Sequence, residues 1–101
     1  MIIYNVTVNI DNSVNDEWLE WMKKIHIPDV MKTGLFAENK ICRVLGDEES
    51  GGKTYAIQYF CKTMNDFKKY EKEFAQSLRA KHSEKYKDKF TAFRTLLEIV
   101  S

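Results

Sequence analysis

Strand-like and helix-like stretches follow one another in the order β-α-β-β-α-β, which predicts an α+β fold of the ferredoxin-like class. Two observations carry this prediction. Apolar residues recur at every second position in the strand-like stretches, and at intervals of three or four in the two helix-like stretches. Right-handed crossovers then give an antiparallel sheet of order 4-1-3-2 with both helices on one face. At 101 residues the chain has the size of a single domain, residues 1–101.

The first strand is predicted over residues 2–10, where apolar and polar residues alternate strictly. One face carries Ile2, Tyr4, Val6, Val8 and Ile10, and the other carries Ile3, Asn5, Thr7 and Asn9. A helix is predicted to follow from about Val14 to Ile25, with Val14, Trp18, Met22 and Ile25 on its apolar face. Pro28 disfavours helical geometry in the residue before it, so we expect this helix to end near His26.

A hairpin is predicted next, with strands over residues 36–45 and 54–61 and a polar loop between Gly46 and Gly52. This turn would place Cys42 opposite about Ile57. Cys61 would then lie about four residues further along the strand, beyond disulfide reach at ~3.3 Å per residue. Both cysteines are therefore expected to be thiols in the core.

The second helix is predicted to start with a capping box at residues 63–66. Its apolar face carries Phe67, Tyr70, Phe74 and Leu78, spaced by three, four and four. The charged run 81–89 is expected to hold its frayed end or a short extension around Tyr86, with His82 at the surface. A fourth, strongly apolar strand is predicted over residues 90–100.

The sheet face opposite the helices is predicted to be too apolar for a monomer, since it must carry one full face of the last strand and some of Ile3, Ile41, Leu45 and Phe60. We therefore expect a homodimer that forms through the sheets, as a dimeric α+β barrel. The polar residues expected among these apolar ones predict a small-molecule cavity between the sheets, with Asn5, Thr7, Gln58 and Arg94 as ligand-binding residues. Alternatively, these groups satisfy each other or water across the dimer.

Two side chains have more than one interpretation. Arg94 either anchors an anionic ligand or forms an ion pair with Glu98 or Glu38. His26 is the candidate catalytic residue, because an imidazole that titrates near neutrality suits a general base. Alternatively, His26 caps the end of the first helix, where the dipole and the free carbonyls favour histidine.

Several function classes find no support in the sequence. It contains no Ser-His-Asp set, metal-ligand cluster, P-loop or dinucleotide-binding turn, so no metal or cofactor is expected. The net charge of +1 gives no reason to expect a nucleic-acid partner. No apolar run approaches the ~18 residues that span a bilayer, and no signal peptide is recognisable. We therefore expect a cytoplasmic protein without a membrane partner.

Five segments carry a resemblance to a bacterial family of unknown function, domain of unknown function 4286. They are Glu-Trp-Leu-Glu-Trp-Met at 17–22, His-Ile-Pro-Asp-Val-Met at 26–31, Thr-Gly-Leu-Phe at 33–36, Tyr-Ala-Ile-Gln-Tyr at 55–59 and Phe-Arg-Thr-Leu-Leu at 93–97. More distantly, the element order resembles the dimeric α+β barrel superfamily, which includes antibiotic-biosynthesis monooxygenases and muconolactone-isomerase-like enzymes. The first resemblance implies no activity, and the second implies a fold alone.

Three functions remain open from the sequence. The first is a homodimer that binds a small molecule. The second is a cofactor-independent monooxygenase- or isomerase-like enzyme with His26 as general base. The third is a scaffold whose exposed sheet face docks another protein.

Overall fold

The structure, a computed structural model, describes residues 1–46 and 51–101. Its strands are β1 (Ile2–Asp11), β2 (Glu38–Arg43), β3 (Gly52–Cys61) and β4 (Phe90–Glu98). They form one antiparallel sheet of order β2-β3-β1-β4, which confirms the predicted order 4-1-3-2. The predicted loop residues 47–50 lie outside the described residues.

The two faces of the sheet follow from the alternation seen in β1. Tyr4 lies opposite Tyr59 on β3 and Leu96 on β4, and residues that pair in this way point to the same side. This side carries the core, in which Ile2, Tyr4, Val8 and Ile10 of β1 are all buried. The other side, which we call the open face, carries the intervening residues of each strand and packs against no helix in the described structure.

The first helix is longer than predicted, because Pro28 does not end it. It consists of an α-helical segment Asn15–Trp21, a π-helical turn Met22–His26 and a second α-helical segment Ile27–Met31, together called α1. In the π turn the Ile27 N–H donates to the Met22 carbonyl, five residues earlier. This wider turn lies where the proline ring would otherwise meet the carbonyl four residues before it.

The extra residue in the π turn also shifts the buried stripe of α1. Trp18 and Met22 are buried as the spacing predicts, but Ile25 is 50% exposed. The core positions that follow are Ile27 and Val30 instead. The prediction that Ile25 lies in the core was therefore wrong, because the π turn changes which residues of α1 face the sheet.

The second helix repeats this construction. It consists of Met64–Tyr70, a π-helical turn Glu71–Ala75 and Gln76–Lys85, together called α2. Its first turn is capped as predicted, since the Thr63 hydroxyl accepts a hydrogen bond from the Asp66 N–H at 3.1 Å. The helix is also longer than the apolar spacing predicted, and Tyr86, which follows it directly, is buried.

Burial in the core was predicted for both cysteines, but only one of them is buried. Cys61 is buried and Cys42 is exposed on the edge strand β2, and both are free thiols. Cys42 pairs with Ala56 and not with Ile57, so the hairpin register differs from the prediction by one residue. This change turns the Cys42 side chain to the open face and Ile41 to the core side.

A buried hydrogen bond joins α1 to the sheet. The Tyr55 hydroxyl donates to Asn15 Oδ1 over 2.8 Å, at the first residue of the helix. Tyr55 also packs against Trp18, with ring centroids 5.1 Å apart. Among the described residues no helix is long and apolar enough to cross a membrane.

We predict that Tyr55→Phe lowers the free energy of unfolding by about 1–2 kcal/mol, because it leaves the buried Asn15 Oδ1 without this donor. Tyr86→Phe is the matched control. The Tyr86 hydroxyl is buried with no hydrogen-bond partner within 3.5 Å among the described residues. Burial raises its pKa to about 12, and the nearby Glu17 adds to this effect. We expect this control to change stability by less than about 0.5 kcal/mol in urea denaturation. Equal losses in the two variants would contradict the prediction.

Candidate functional site

A cavity of about 40 Å³ lies between the core side of the sheet and the two helices. Its walls are mostly apolar and aromatic. The polar side chains that reach it come from both helices, from β1 and from β4, and they include Tyr4, His26, Arg79, His82 and Arg94. A space of this size holds water or a ligand of a few atoms, so a larger ligand requires α1 or α2 to move.

His82 lies in the core and not at the surface, which corrects the prediction from the sequence. It is 8% exposed, and its Nε2 accepts a hydrogen bond from Trp18 Nε1 at 2.9 Å. The ring of Phe90 packs edge-on at 4.5 Å between centroids. Because an indole N–H only donates, Nε2 must be unprotonated and the neutral ring carries its hydrogen on Nδ1.

His26 lies in the middle of α1 and caps no helix end, so the capping interpretation was wrong. It is the last residue of the π turn, and its side chain makes no capping hydrogen bond. Its ring stacks on Trp21, with centroids 5.2 Å apart, and meets His82 edge-on at 5.8 Å. π turns are frequent at functional sites, and here one directs an imidazole into the cavity.

Burial lowers the pKa of both imidazoles to about 4. For His26 the nearby Asp29 opposes this effect, while Arg94 and Lys81 add to it. For His82 the other imidazole and Arg94 add to the effect of burial. Both rings are therefore neutral at pH 7, and each retains a basic nitrogen or an N–H donor.

Two arginines meet at one phenol oxygen in this cavity. Arg79 Nη2 and Arg94 Nε donate to Tyr4 Oη at 2.8 and 3.1 Å. Arg79 also makes a bidentate salt bridge to Glu71, with distances of 2.9 and 2.8 Å. Arg94 forms no salt bridge with Glu98, Glu38 or any other carboxylate that the structure describes.

The structure does not bring the four predicted ligand-binding residues together. Arg94 pairs with Val6 and therefore lies on the core side of the sheet, with His26. Asn5, Thr7 and Gln58 lie on the open face, where the Asn5 amide donates to the Thr7 hydroxyl at 3.1 Å. A sheet therefore separates Arg94 from the other three residues.

Three residues of the cavity were missed from the sequence, namely Tyr4, Arg79 and His82. A signal for His82 was present, since one further step of four after Leu78 reaches it and another reaches Tyr86. The many charged neighbours of His82 obscured this spacing. No local pattern indicates Arg79, because its role depends on contacts with a strand 75 residues away.

Comparison of the fold with solved structures shows ferredoxin-like proteins over the full length of the chain. A dimeric ferredoxin-like protein from an uncultured marine organism has a TM-score of 0.69 and 14% identity, covering 100% of this chain and 96% of that one. HapK from Hahella chejuensis has a TM-score of 0.71 and 9% identity, covering 99% and 93%. A Bacillus cereus protein named as an antibiotic-biosynthesis monooxygenase has a TM-score of 0.67 and 11% identity, also covering 99% and 93%.

At these identities the likeness shows the fold alone, which is the ferredoxin-like fold predicted from the element order. No curated protein matches the chain. A family model does match, over residues 1–100, and its description is "Domain of unknown function (DUF4286)". This match covers nearly the whole sequence and confirms the resemblance carried by the histidine-proline segment. The chain belongs to the DUF4286 family.

Proposed function

We propose that the protein is a homodimer that binds a small molecule in the cavity between its sheet and its helices. The observation that carries this proposal is the convergence of Tyr4, His26, Arg79, His82 and Arg94 on one cavity with mostly apolar walls. A few polar groups in an apolar enclosure are typical of a ligand site. Hydrogen bonds from Arg79 and Arg94 to the Tyr4 hydroxyl hold these polar groups together at the cavity.

The proposed site keeps two of the residues expected from the sequence, His26 and Arg94. The other three, Asn5, Thr7 and Gln58, are assigned to the dimer interface on the open face. The hydrogen bond between Asn5 and Thr7 supports this assignment, because polar groups that satisfy each other can be buried at moderate cost.

The open face supports the homodimer. Three of its apolar side chains on and after β4 are largely exposed, namely Phe93 at 62%, Leu97 at 41% and Ile99 at 42%. Apolar groups of this size on one sheet face are typical of an interface. A protein of the same fold from an uncultured marine organism is described as dimeric, which supports a dimer for this chain.

A cofactor-independent enzyme, with His26 as general base, is the second candidate. Its specific support is that His26 lies beside the cavity and is neutral at pH 7, but its pKa of about 4 makes it a weaker base than the near-neutral imidazole expected from the sequence. A neutral imidazole can accept a proton from a bound substrate, and Arg94 would stabilise the negative charge that results. The scaffold remains a third candidate, in which another protein covers the open face.

The dimer is tested with Phe93→Lys, which places a charge on the open face of the edge strand β4. We expect light scattering to give the mass of a dimer for the unsubstituted protein over a hundredfold dilution, and of a monomer for the variant. Leu45→Lys is the control, because Leu45 is 83% exposed but lies in the hairpin connection. A monomeric unsubstituted protein would contradict the homodimer and favour the scaffold.

Ligand binding is tested by a nuclear magnetic resonance screen of neutral and charged fragments against the ¹⁵N-labelled protein. Ligands are expected to shift the imidazole signals of His26 and His82, and His26→Ala should weaken their binding at least tenfold while the fold is retained. Thr95→Ala, on the open face, is the control. A screen in which no fragment moves the imidazole signals would refute the proposed function.

The buried imidazoles also predict a dependence of stability on pH. The pKa of His26 and His82 is about 4 in the folded protein and about 6.5 in the unfolded chain. As the pH falls from 6.5 to 4, the unfolded chain binds protons that the folded protein does not. Stability should therefore decrease across this window, by about 1–3 kcal/mol for each ring, and change no further through these groups below pH 4.

This dependence is measured by urea denaturation at a series of pH values. The double variant His26→Gln/His82→Gln should lose the histidine part of the decrease, while any part due to carboxylates remains. An identical decrease in the unsubstituted protein and the double variant would show that the imidazoles are not buried in neutral form.

A further inference from the structure

The charges around the cavity do not balance. Its lining includes the guanidinium groups of Arg79 and Arg94 but no aspartate or glutamate. The bidentate bridge from Glu71 neutralises Arg79. Arg94 has no such partner among the described residues, and its exposed side chain places an unpaired, solvated positive charge at the solvent-facing side of the cavity.

The charged groups just outside the cavity do not change this balance. Asp29 and Lys81 both act on His26, one raising and the other lowering its pKa, so their effects oppose each other. The imidazoles of His26 and His82 are neutral. Burial is the main cause of the lowered pKa of both rings, and Arg94 contributes to it at each of them.

Hydrogen-bond donors at the same place lack acceptors. Tyr4 Oη accepts from both arginines, so its own hydrogen is available, and no acceptor for it occurs among the described residues. Arg94 uses Nε for this contact, and no hydrogen bond from its two terminal nitrogens appears within residues 1–46 and 51–101. The Tyr4 phenol and the Arg94 guanidinium therefore both have donors available for an acceptor on a bound ligand.

We propose that the natural ligand is a small monoanion, a carboxylate on an apolar or aromatic body, whose charged group binds Arg94 and the Tyr4 hydroxyl. This inference rests on the proposed function of the cavity and names the chemical class of its ligand. Arginine suits a carboxylate because its parallel N–H groups match the two oxygens. The apolar remainder would contact walls formed by residues such as Val8, Ile57 and Phe90, and α1 or α2 must move to admit it because the cavity measures only about 40 Å³.

The charge count selects a monoanion over a dianion. One uncompensated positive charge is neutralised by one carboxylate, whereas a phosphate dianion would bring a second negative charge into an apolar space. A neutral ligand would gain no charge-assisted hydrogen bond from Arg94, whose exposed guanidinium would stay solvated. The proposed class is therefore the one whose charged group pairs with Arg94 while its apolar part contacts the cavity walls.

The test compares sodium benzoate with benzamide, a neutral molecule of nearly the same shape, in nuclear magnetic resonance titrations at constant ionic strength. Benzoate is expected to shift the signals of His26, His82 and the Arg94 Nε–H in a saturable manner. Its affinity should exceed that of benzamide at least tenfold. This comparison uses the unsubstituted protein and requires no variant to fold.

Variants then assign the preference to Arg94. Arg94→Gln should remove the preference for benzoate, and Arg94→Lys, which keeps the charge, should retain part of it. Arg43→Gln is the matched control, since it removes an arginine from the edge strand β2 outside the cavity lining. We expect this control to keep the full preference.

Three outcomes would overturn the inference: benzamide that binds as tightly as benzoate, a preference that survives in Arg94→Gln, or benzoate that fails to shift the cavity signals. Binding of benzamide or other neutral fragments in the cavity would at the same time leave the proposed function intact. If neither compound nor any fragment of the earlier screen moves the imidazole signals, both the inference and the proposed function fail.

Discussion

The hydrogen bond from Trp18 to His82 joins the two helices across the top of the sheet, and much of the cavity depends on it. It crosses 64 residues of sequence and is fully buried, so its loss would leave an indole N–H and an imidazole nitrogen unsatisfied together. It also fixes the tautomer of His82. The aromatic packing of Trp21, His26 and Phe90 is arranged around that ring.

The π turns explain how both helices supply side chains to one place. In α1 the extra residue of the turn brings Ile27 into the core, where an uninterrupted helix would have kept Ile25. In α2 it makes Ala75 the buried residue that follows Tyr70, and the stripe then continues through Leu78 to His82. A helix without such turns would direct a different set of side chains at the sheet.

The element order and the sheet order could be predicted from the sequence. The core side of β1 could also be predicted, because the strict alternation in residues 2–10 places all its large apolar residues but Ile3 on one face. The site was only partly predictable. Arg94 and His26 were identified individually, but the face of Arg94 depends on the pairing of β4 with β1. The π turn at His26 has no known signature in one sequence, and the proline after it indicated a helix end instead.

Strand β4 contributes residues to both the proposed ligand site and the proposed dimer interface. Arg94 points to the cavity, while its neighbours Phe93 and Thr95 point to the open face. Since alternate residues serve the two surfaces, the backbone of one strand carries both the proposed ligand contact and the proposed dimer contact. The side chains themselves are separated by the sheet. Substitutions on one face can therefore change assembly or ligand binding separately, whereas a shift in the register of β4 would exchange the two faces and disrupt both.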